Sequence, residues 1–307
     1  MNENILTKGK ICGCVILYHP TDKVFANIQS YYHNVARLFV IDNTERAHFN
    51  HQLFRELGNL EGIHYISNFE NLGIAHALNQ ALNMAQKEGY DFILTMDQDG
   101  ALERDYITNL LRIVQKNNLD IATLGIIAPF HKVHGDIINN ERQEITDKIA
   151  VMTSGNLLNL HAVKQIGGFS EDLFIDRVDQ EYCLRLRMNN FRVIQVNFVV
   201  FDHPQGRMTK HFLFNRAYYT TNHSPDRRYY ITRNTLYVIK KYGEIFPEYV
   251  KWEKDIFLSD LKNIILFEKD KINKLRMIVR GYCDYRRRVY GMLSQDKQGT
   301  ELPGHSG

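Results

Sequence analysis

The chain has 307 residues, which is enough to bury a large core and to form one large domain with a smaller appendage. Its hydrophobic (44%) and charged (24%) fractions are those of an ordinary globular protein, and a net charge of +3 gives no argument for a nucleic-acid partner. No apolar stretch approaches the roughly 18 residues that are needed to span a bilayer.

Cysteines and the amino terminus indicate the cellular compartment. The four cysteines (Cys12, Cys14, Cys183 and Cys283) form no CxxC pair and no zinc-binding spacing, which is typical of reduced, buried thiols. The first residues, MNENILTKGK, lack the apolar segment of a signal peptide. The sequence therefore predicts a cytoplasmic protein, either free or on the inner face of the cell membrane.

Short apolar runs alternate with amphipathic segments over the first 200 residues. The runs at 11–18, 37–42, 62–67 and 91–97 are short, β-branched and bounded by turn residues, which predicts buried strands. Between the last two, Ile74, Leu78 and Leu82 recur at helical spacing. Such alternation predicts an α/β fold, in which helices cover both faces of a mostly parallel sheet. We assign residues 1–221 to this domain.

Polar side chains follow each of the four predicted strands. In open α/β sheets, ligands bind outside the carboxyl ends of the strands, so these residues are candidates for a binding site. They are His19-Pro20, Asp42-Asn43, residues 68–71 and Asp97-Gln98-Asp99.

The fourth strand ends in two carboxylates, Asp97 and Asp99. Neighbouring anions repel each other unless a positive group lies between them. Hard oxygen ligands suit Mg²⁺ or Mn²⁺, which complete their shells with diphosphate and water. The alternative is a solvated turn in which an aspartate caps the next helix.

A second acidic segment, FIDRVDQEYCLRLR, spans residues 174–187. If Asp179 opens a helix, Glu181 lies about 200° around the axis, so the two cannot face one pocket. Glu181 is then expected to pair with Arg185, and Asp176 or Asp179 remains to act as a general base. The alternative is an acid-rich helix terminus that the helix dipole stabilises.

The pattern of residue types changes from residue 222 onward. Aromatic and basic residues interleave at helical spacing, which predicts a helical region over 222–293, followed by a flexible tail over 294–307. Ile272, Leu275, Ile278 and Tyr282 form an apolar stripe, and Lys and Arg outnumber Asp around it. Two interpretations stay open: the stripe docks on the first domain, or this cationic helix contacts an anionic membrane surface.

Several motifs in order resemble those of one known family. NLGIAHALNQAL (71–82), LTMDQDG (94–100) and FIDRVDQEYCLRLR are similar to segments of the inverting family 2 glycosyltransferases, which have the GT-A fold. The resemblance covers roughly residues 11–242, and it is closest to bacterial dTDP-rhamnosyltransferases of O-antigen or capsular polysaccharide synthesis.

The resemblance implies a role for each candidate residue. Asp179 would be the catalytic base, and Mg²⁺ or Mn²⁺ would be held by Asp97, Asp99 and His203. The nucleotide-sugar would be bound by His19, Asp42, Asn71, Gly73, Asn79, Asp97, Arg228 and Arg233. Asn71 and Gly73 would shape the entry to a helix whose first N–H groups favour an anion.

The implied activity is metal-dependent transfer of L-rhamnose from dTDP-rhamnose to a saccharide or lipid-diphosphate-linked acceptor, with no nucleic-acid partner. Within the same chemistry, UDP-hexoses and UDP-galactofuranose remain alternative donors. A nucleotidyltransferase would usually carry a Gly-rich loop after the first strand, where this chain has ILYHPTDK. A non-enzymatic nucleotide-sugar-binding protein is the remaining alternative, because it would need no base at Asp179.

Overall fold

The computed structural model describes residues 10–132, 142–202, 209–213 and 216–293. The β-branched runs in these ranges form strands, and the amphipathic segments between them form helices, as the sequence predicts. The strands are β1 (Ile11–Leu17), β2 (Leu38–Asp42), β3 (Ile63–Ser67), β4 (Phe92–Asp97), β5 (Leu124–Lys132), β6 (Ile145–Asp147), β7 (Asn156–Asn159), β8 (Arg192–Asp202), β9 (Thr209–Leu213) and β10 (Arg216–Thr220). The helices are α1 (Lys23–Tyr31), α2 (His51–Gly58), α3 (Ile74–Lys87), α4 (Tyr106–Lys116), α5 (Leu160–Ile166), α6 (Val178–Met188), α7 (Pro225–Tyr242), α8 (Pro247–Leu266) and α9 (Lys271–Arg287).

One large sheet has the strand order β3-β2-β1-β4-β7-β5-β8-β6. Strands β3, β2, β1 and β4 are all parallel, so their carboxyl ends lie at one edge, as predicted. Strand β7 is antiparallel to both β4 and β5, and β6 is antiparallel to β8. The predicted mostly parallel α/β fold is therefore confirmed.

Helices cover both faces of the central strands. Strand β1 is buried along its whole length, which explains why it reads as a continuous apolar run. Helix α3 packs Leu78 and Leu82 into the same core as Cys12 and Cys14, while α1 and α4 cover the opposite face. Burial raises the pKa of both thiols, and Cys183 is buried as well, in agreement with the expectation of buried thiols. Cys283 is only partly buried, which differs from that expectation.

Three helices follow the sheet, as the aromatic and basic pattern predicts. Helices α7 and α9 pack closely together, and α8 lies beside the two-stranded hairpin β9–β10, which the sequence did not predict. Within the described ranges, no helix is both long enough and apolar enough to cross a bilayer.

Candidate active site

A cleft of about 620 Å³ opens at the carboxyl ends of β1, β2 and β4. This is the edge where polar residues follow the strands in sequence. The polar residues that line it include Tyr18, Asn43, Asn71, Asp97, Gln98, Asp99, Asp176, Arg177, Asp179, Gln180, Thr221, His223 and Arg227. Strand ends from the sheet and residues from α6 and α7 thus converge on one space.

Asp97 and Asp99 project from the turn that ends β4. Burial and the neighbouring charge of Asp99 raise the pKa of Asp97 to about 6, and Arg227 opposes the shift. The turn is tight, because a side chain at Gly100 would come within 2.8 Å of the Phe201 ring. Repulsion between the two carboxylates is therefore one reason why Asp97 holds its proton more tightly than an ordinary aspartate.

The donor set at this turn fits a hard dication. Two carboxylates within a diphosphate-sized cleft match the chemistry of Mg²⁺ and Mn²⁺, which take few protein ligands and share the rest with phosphate and water. In the part of the chain that the structure describes, no three His, Cys, Asp or Glu side chains gather at one metal position. His203, the third predicted ligand, lies outside the described residues.

Asp179 enters the cleft from the first turn of α6. Burial raises the pKa of its carboxyl to about 6, although the Gln180 N–H and the Arg177 charge act in the opposite direction. One carboxylate oxygen accepts from the Gln180 N–H at 3.0 Å, which leaves the other oxygen for a ligand. Asp179 is therefore ionised at neutral pH yet more basic than an ordinary aspartate, which suits a general base.

Glu181 lies on the other side of α6 and is fully buried. It pairs with Arg185 at 2.9 Å, as predicted, and it also contacts Lys241 and Tyr242. Burial acts to raise its pKa, but the charge and hydrogen bond of Arg185 hold that pKa below the ordinary value. Glu181 therefore connects α6 to α7 and takes no part in the cleft.

A strained turn precedes α6 and places Asp176 and Asp179 in the lining of the cleft. Phe174, Asp176 and Arg177 have φ values of 61°, 64° and 65°, which are unfavourable for residues other than glycine. The Asn234 side-chain amide donates to the carbonyls of Leu173, Ile175 and Asp176 at 2.7–2.9 Å. Helix α7 therefore holds this turn in place from behind.

Arg227 is the α7 arginine that lines the cleft, and its sequence context did not single it out. Its guanidinium binds Asp176 through two hydrogen bonds, of 2.6 and 3.2 Å. Arg228, which the resemblance assigns to the nucleotide-sugar, points away from the cleft. It is buried and pairs with Asp260 and Glu268, because a step of 100° on a helix turns it toward α8.

Arg233 is also placed differently from the expectation. It is fully buried, and it donates to the backbone carbonyls of Asp172, Leu173 and Gly291. With all these bonds made to protein, the side chain supports the turn before α6 and does not reach the cleft.

Asn71 and Gly73 lie in the cleft, at the entry to α3. The Asn71 side chain accepts from the Gly73 N–H at 3.1 Å, and Gly73 has a φ of 85°. A Cβ atom at Gly73 would approach the Phe174 ring to 2.6 Å, so only glycine fits. The first N–H of α3, from Ile74, is already taken by the Phe174 carbonyl, which limits the expected anion site.

Three other predicted ligands lie outside the cleft lining. Asp42 is buried and accepts from the Thr44 N–H and the Tyr65 hydroxyl, and its neighbour Asn43 lines the cleft instead. His19 contacts Glu45 at 3.0 Å on the exposed rim. Asn79 binds both the N–H and the carbonyl of Phe169, so it fixes a loop.

His223 is a second cleft residue that was not predicted from the sequence. Burial and the nearby Arg227 lower its pKa to about 4, so the imidazole is neutral at physiological pH. It follows β10 and lines the cleft close to Arg227. The only sequence signal was its position just before the Ser224-Pro225 helix start, which does not reveal which way the ring faces.

A family model supplies the decisive comparison. The model described as "Glycosyl transferase family 2" matches residues 19–176, which is half of the chain. The chain belongs to glycosyl transferase family 2. The matched span of this glycosyltransferase includes the carboxylate turn of β4 and ends at Asp176, just before Asp179.

One protein of similar sequence and two solved structures are also similar to this chain. The dTDP-rhamnosyl transferase RfbF of Shigella flexneri is 26% identical over 306 residues, covering 95% of this chain and 98% of the relative. TarS of S. aureus, solved with UDP-GlcNAc, is 14% identical and has a TM-score of 0.56 over 91% of this chain and 81% of its own. GalNAc-T7, solved with UDP, GalNAc and Mn²⁺, is 11% identical and has a TM-score of 0.53 over 78% of this chain and 48% of its own. These likenesses confirm the GT-A fold.

Proposed function

We propose that this glycosyltransferase moves L-rhamnose from dTDP-rhamnose to a saccharide on a lipid-diphosphate carrier, in the synthesis of O-antigen or capsular polysaccharide. One observation carries the choice of donor: the similarity to a protein named as a dTDP-rhamnosyl transferase extends over nearly the whole of both chains. Similarity from end to end includes the acceptor side and the C-terminal helices as well as the nucleotide-binding half.

The cleft supports an inverting transfer with Asp179 as the base. Its free carboxylate oxygen would take the proton of the acceptor hydroxyl as that oxygen attacks the anomeric carbon. The bond between the anomeric carbon and the diphosphate oxygen breaks, and dTDP leaves with the bonding electrons. Because the nucleophile enters opposite the leaving group, the anomeric configuration inverts.

We infer that transfer depends on Mg²⁺ or Mn²⁺. Asp97 and Asp99 would hold the cation, whose chemistry is to offset the negative charge that develops on the departing diphosphate. Arg227 reaches the same region from α7, because its charge already acts on Asp97. Its guanidinium would bind the donor diphosphate and help to keep it oriented.

The direct test is a donor panel with the purified chain. dTDP-rhamnose, UDP-glucose and UDP-galactofuranose would each be incubated with Mn²⁺ or with EDTA, and release of dTDP or UDP would be measured. We expect Mn²⁺-dependent release from dTDP-rhamnose. Faster release from a UDP-sugar would refute the choice of donor. Saturable donor binding without any release, with or without a saccharide acceptor, would favour the non-enzymatic alternative.

A further inference from the structure

Helix α9 carries an exposed stripe of apolar and basic side chains, which we call the outer stripe. It consists of Ile272, Arg276, Val279, Tyr282 and Arg286, spaced three or four residues apart on one side of the helix. Ile272 is 82% exposed, Val279 61% and Tyr282 49%. Such large apolar exposure, ordered along a helix and interrupted by arginines, needs a partner to explain it.

The opposite side of α9 is the one that docks on the protein. There Lys274 binds Glu268 at 2.7 Å, and a side chain at Gly281 would meet the Tyr229 carbonyl of α7 at 2.6 Å. The sequence left open whether Ile272 and Tyr282 serve this docking, and their exposure shows that they do not. The apolar stripe predicted from the sequence therefore faces outward at both of its ends.

We propose that the outer stripe docks on an anionic phospholipid surface. This inference rests on the proposed function, because a lipid-diphosphate carrier presents its saccharide at that surface. Apolar side chains would enter the headgroup boundary while Arg276 and Arg286 meet lipid phosphates. The stripe itself contains no acid, and Asp284 of the same helix is turned toward α7, where it accepts from the Tyr229 hydroxyl.

Two other occupants fit the stripe less well. A second copy in a symmetric contact would bring arginine-bearing stripes together, and like charges in contact oppose association. The chain's own residues 294–307 (SQDKQGTELPGHSG) offer a single large apolar residue, Leu302, to cover three. An anionic bilayer supplies both the opposite charge and an apolar layer.

The position of α9 connects this surface to the cleft. Helix α9 packs along α7, and α7 carries Arg227 into the cleft. Packed helices lie about 8–10 Å apart, so a docked α9 would hold the cleft close to the bilayer. A carrier-bound saccharide would then reach Asp179 without leaving the membrane surface.

The test is sedimentation with vesicles of phosphatidylcholine alone or with 30% phosphatidylglycerol. We expect the full chain to bind the anionic vesicles and to be released by high salt. Replacing both arginines (Arg276→Gln with Arg286→Gln) should weaken binding roughly thirtyfold. Replacing both aliphatic residues (Ile272→Ser with Val279→Ser) should weaken it roughly tenfold, because less apolar area enters the interface.

Matched controls make the test specific to the outer stripe. Lys87→Gln with Arg112→Gln removes the same charge from other exposed helices, and Phe198→Ser with Val200→Ser removes exposed apolar area from β8. Both controls should bind like the wild type. Equal losses in the controls, equal binding to neutral vesicles, or a stripe variant that instead splits a dimer in analytical ultracentrifugation would overturn the proposal.

Two readouts separate this proposal from the proposed function. Stabilisation by dTDP-rhamnose and transfer to a water-soluble acceptor should be unchanged in the stripe variants, because the stripe lies outside the cleft. If the wild type binds anionic vesicles but no dTDP-sugar, the choice of donor fails while the membrane surface stands. If donor turnover is normal and vesicle binding is absent, only the membrane proposal fails.

Discussion

Two clusters of charge in this glycosyltransferase are built in opposite ways. Between α7, α8 and α9, the buried Glu268 accepts from Arg228 at 3.0 Å and from Lys274 at 2.7 Å. Burial alone would raise its pKa, but the hydrogen bond of Lys274 and the charge of Arg228 hold that pKa below the ordinary value. In this cluster each charge is compensated by the protein.

The cleft shows the reverse arrangement. The carboxyl groups of Asp97 and Asp179 both have pKa values raised to about 6, because burial outweighs the nearby positive groups. The difference is consistent with a scaffold role for the C-terminal cluster, and it supports the proposal that the cleft carboxylates bind a ligand. Four substitutions test this contrast.

The largest effect is expected from Asp179→Asn. Removing the base should lower kcat about 10²–10⁴-fold, the usual contribution of general base catalysis. Donor binding, measured as the rise in Tm with dTDP-rhamnose, should persist because the amide keeps the shape of the side chain. The exposed Asp172→Asn serves as the control. Full turnover in a folded Asp179→Asn protein would remove Asp179 from the mechanism.

Glu268→Gln should act on stability alone. It leaves the buried Lys274 without its counter-charge and Arg228 with Asp260 alone, so we expect the free energy of unfolding to fall by about 3 kcal/mol. Urea denaturation measures this loss, and the exposed Glu244→Gln should show almost none. A selective loss of donor binding, without destabilisation, would contradict the scaffold role.

Arg227→Gln should affect binding more than folding. Losing one charge-assisted contact to the donor diphosphate costs about 1.5–3 kcal/mol, so the donor KM should rise at least about tenfold. Stability should fall less than donor binding, because the Arg227 side chain is 44% exposed, although its partner Asp176 is only 10% exposed. Arg37→Gln, which breaks the more exposed pair with Glu88, is the control for loss of a surface arginine. An unchanged KM in the Arg227 variant would separate this arginine from the donor.

Asp97→Asn should make the protein more stable and should abolish the proposed Mn²⁺-dependent transfer. The folded state holds the Asp97 proton up to about pH 6, whereas the unfolded chain releases it near the ordinary value of 3.8. Folding therefore loses stability as the pH rises through this window, and the amide avoids that loss. We expect a gain of about 1–2 kcal/mol at pH 7.5 without metal, and almost none at pH 4. Thermal unfolding at both pH values measures it, and a destabilised variant at pH 7.5 would contradict the account.

The sequence was most informative where a pattern depends on local periodicity. Short β-branched runs predicted β1 to β4 and their common edge, although β3 is an edge strand that is only partly buried and not the buried strand expected. The 200° separation on α6 predicted that Glu181 pairs with Arg185 away from Asp179. These features follow from strand and helix geometry alone, so they can be worked out before any tertiary contact is known.

The orientation of α7 could not be predicted in the same way. Arg227 and Arg228 are adjacent in DRRYYITRN, and which one faces the cleft depends on how α7 packs against α8 and α9. The hairpin β9–β10 was missed for a related reason, since its pairing is favoured by Phe267, whose ring stacks on His211. Long-range packing decided both features.

The contrast between the two clusters depends on the proposal that Asp97 and Asp99 bind a cation, which in turn binds the diphosphate of the nucleotide. Calorimetric titration of Mn²⁺ in the presence of dTDP tests this most directly. We predict one Mn²⁺ per wild-type chain and at least about tenfold weaker binding in Asp99→Asn, since each carboxylate ligand contributes substantially. The exposed control Asp226→Asn should bind like the wild type. Equal Mn²⁺ affinity in the wild type and in Asp99→Asn would contradict the account.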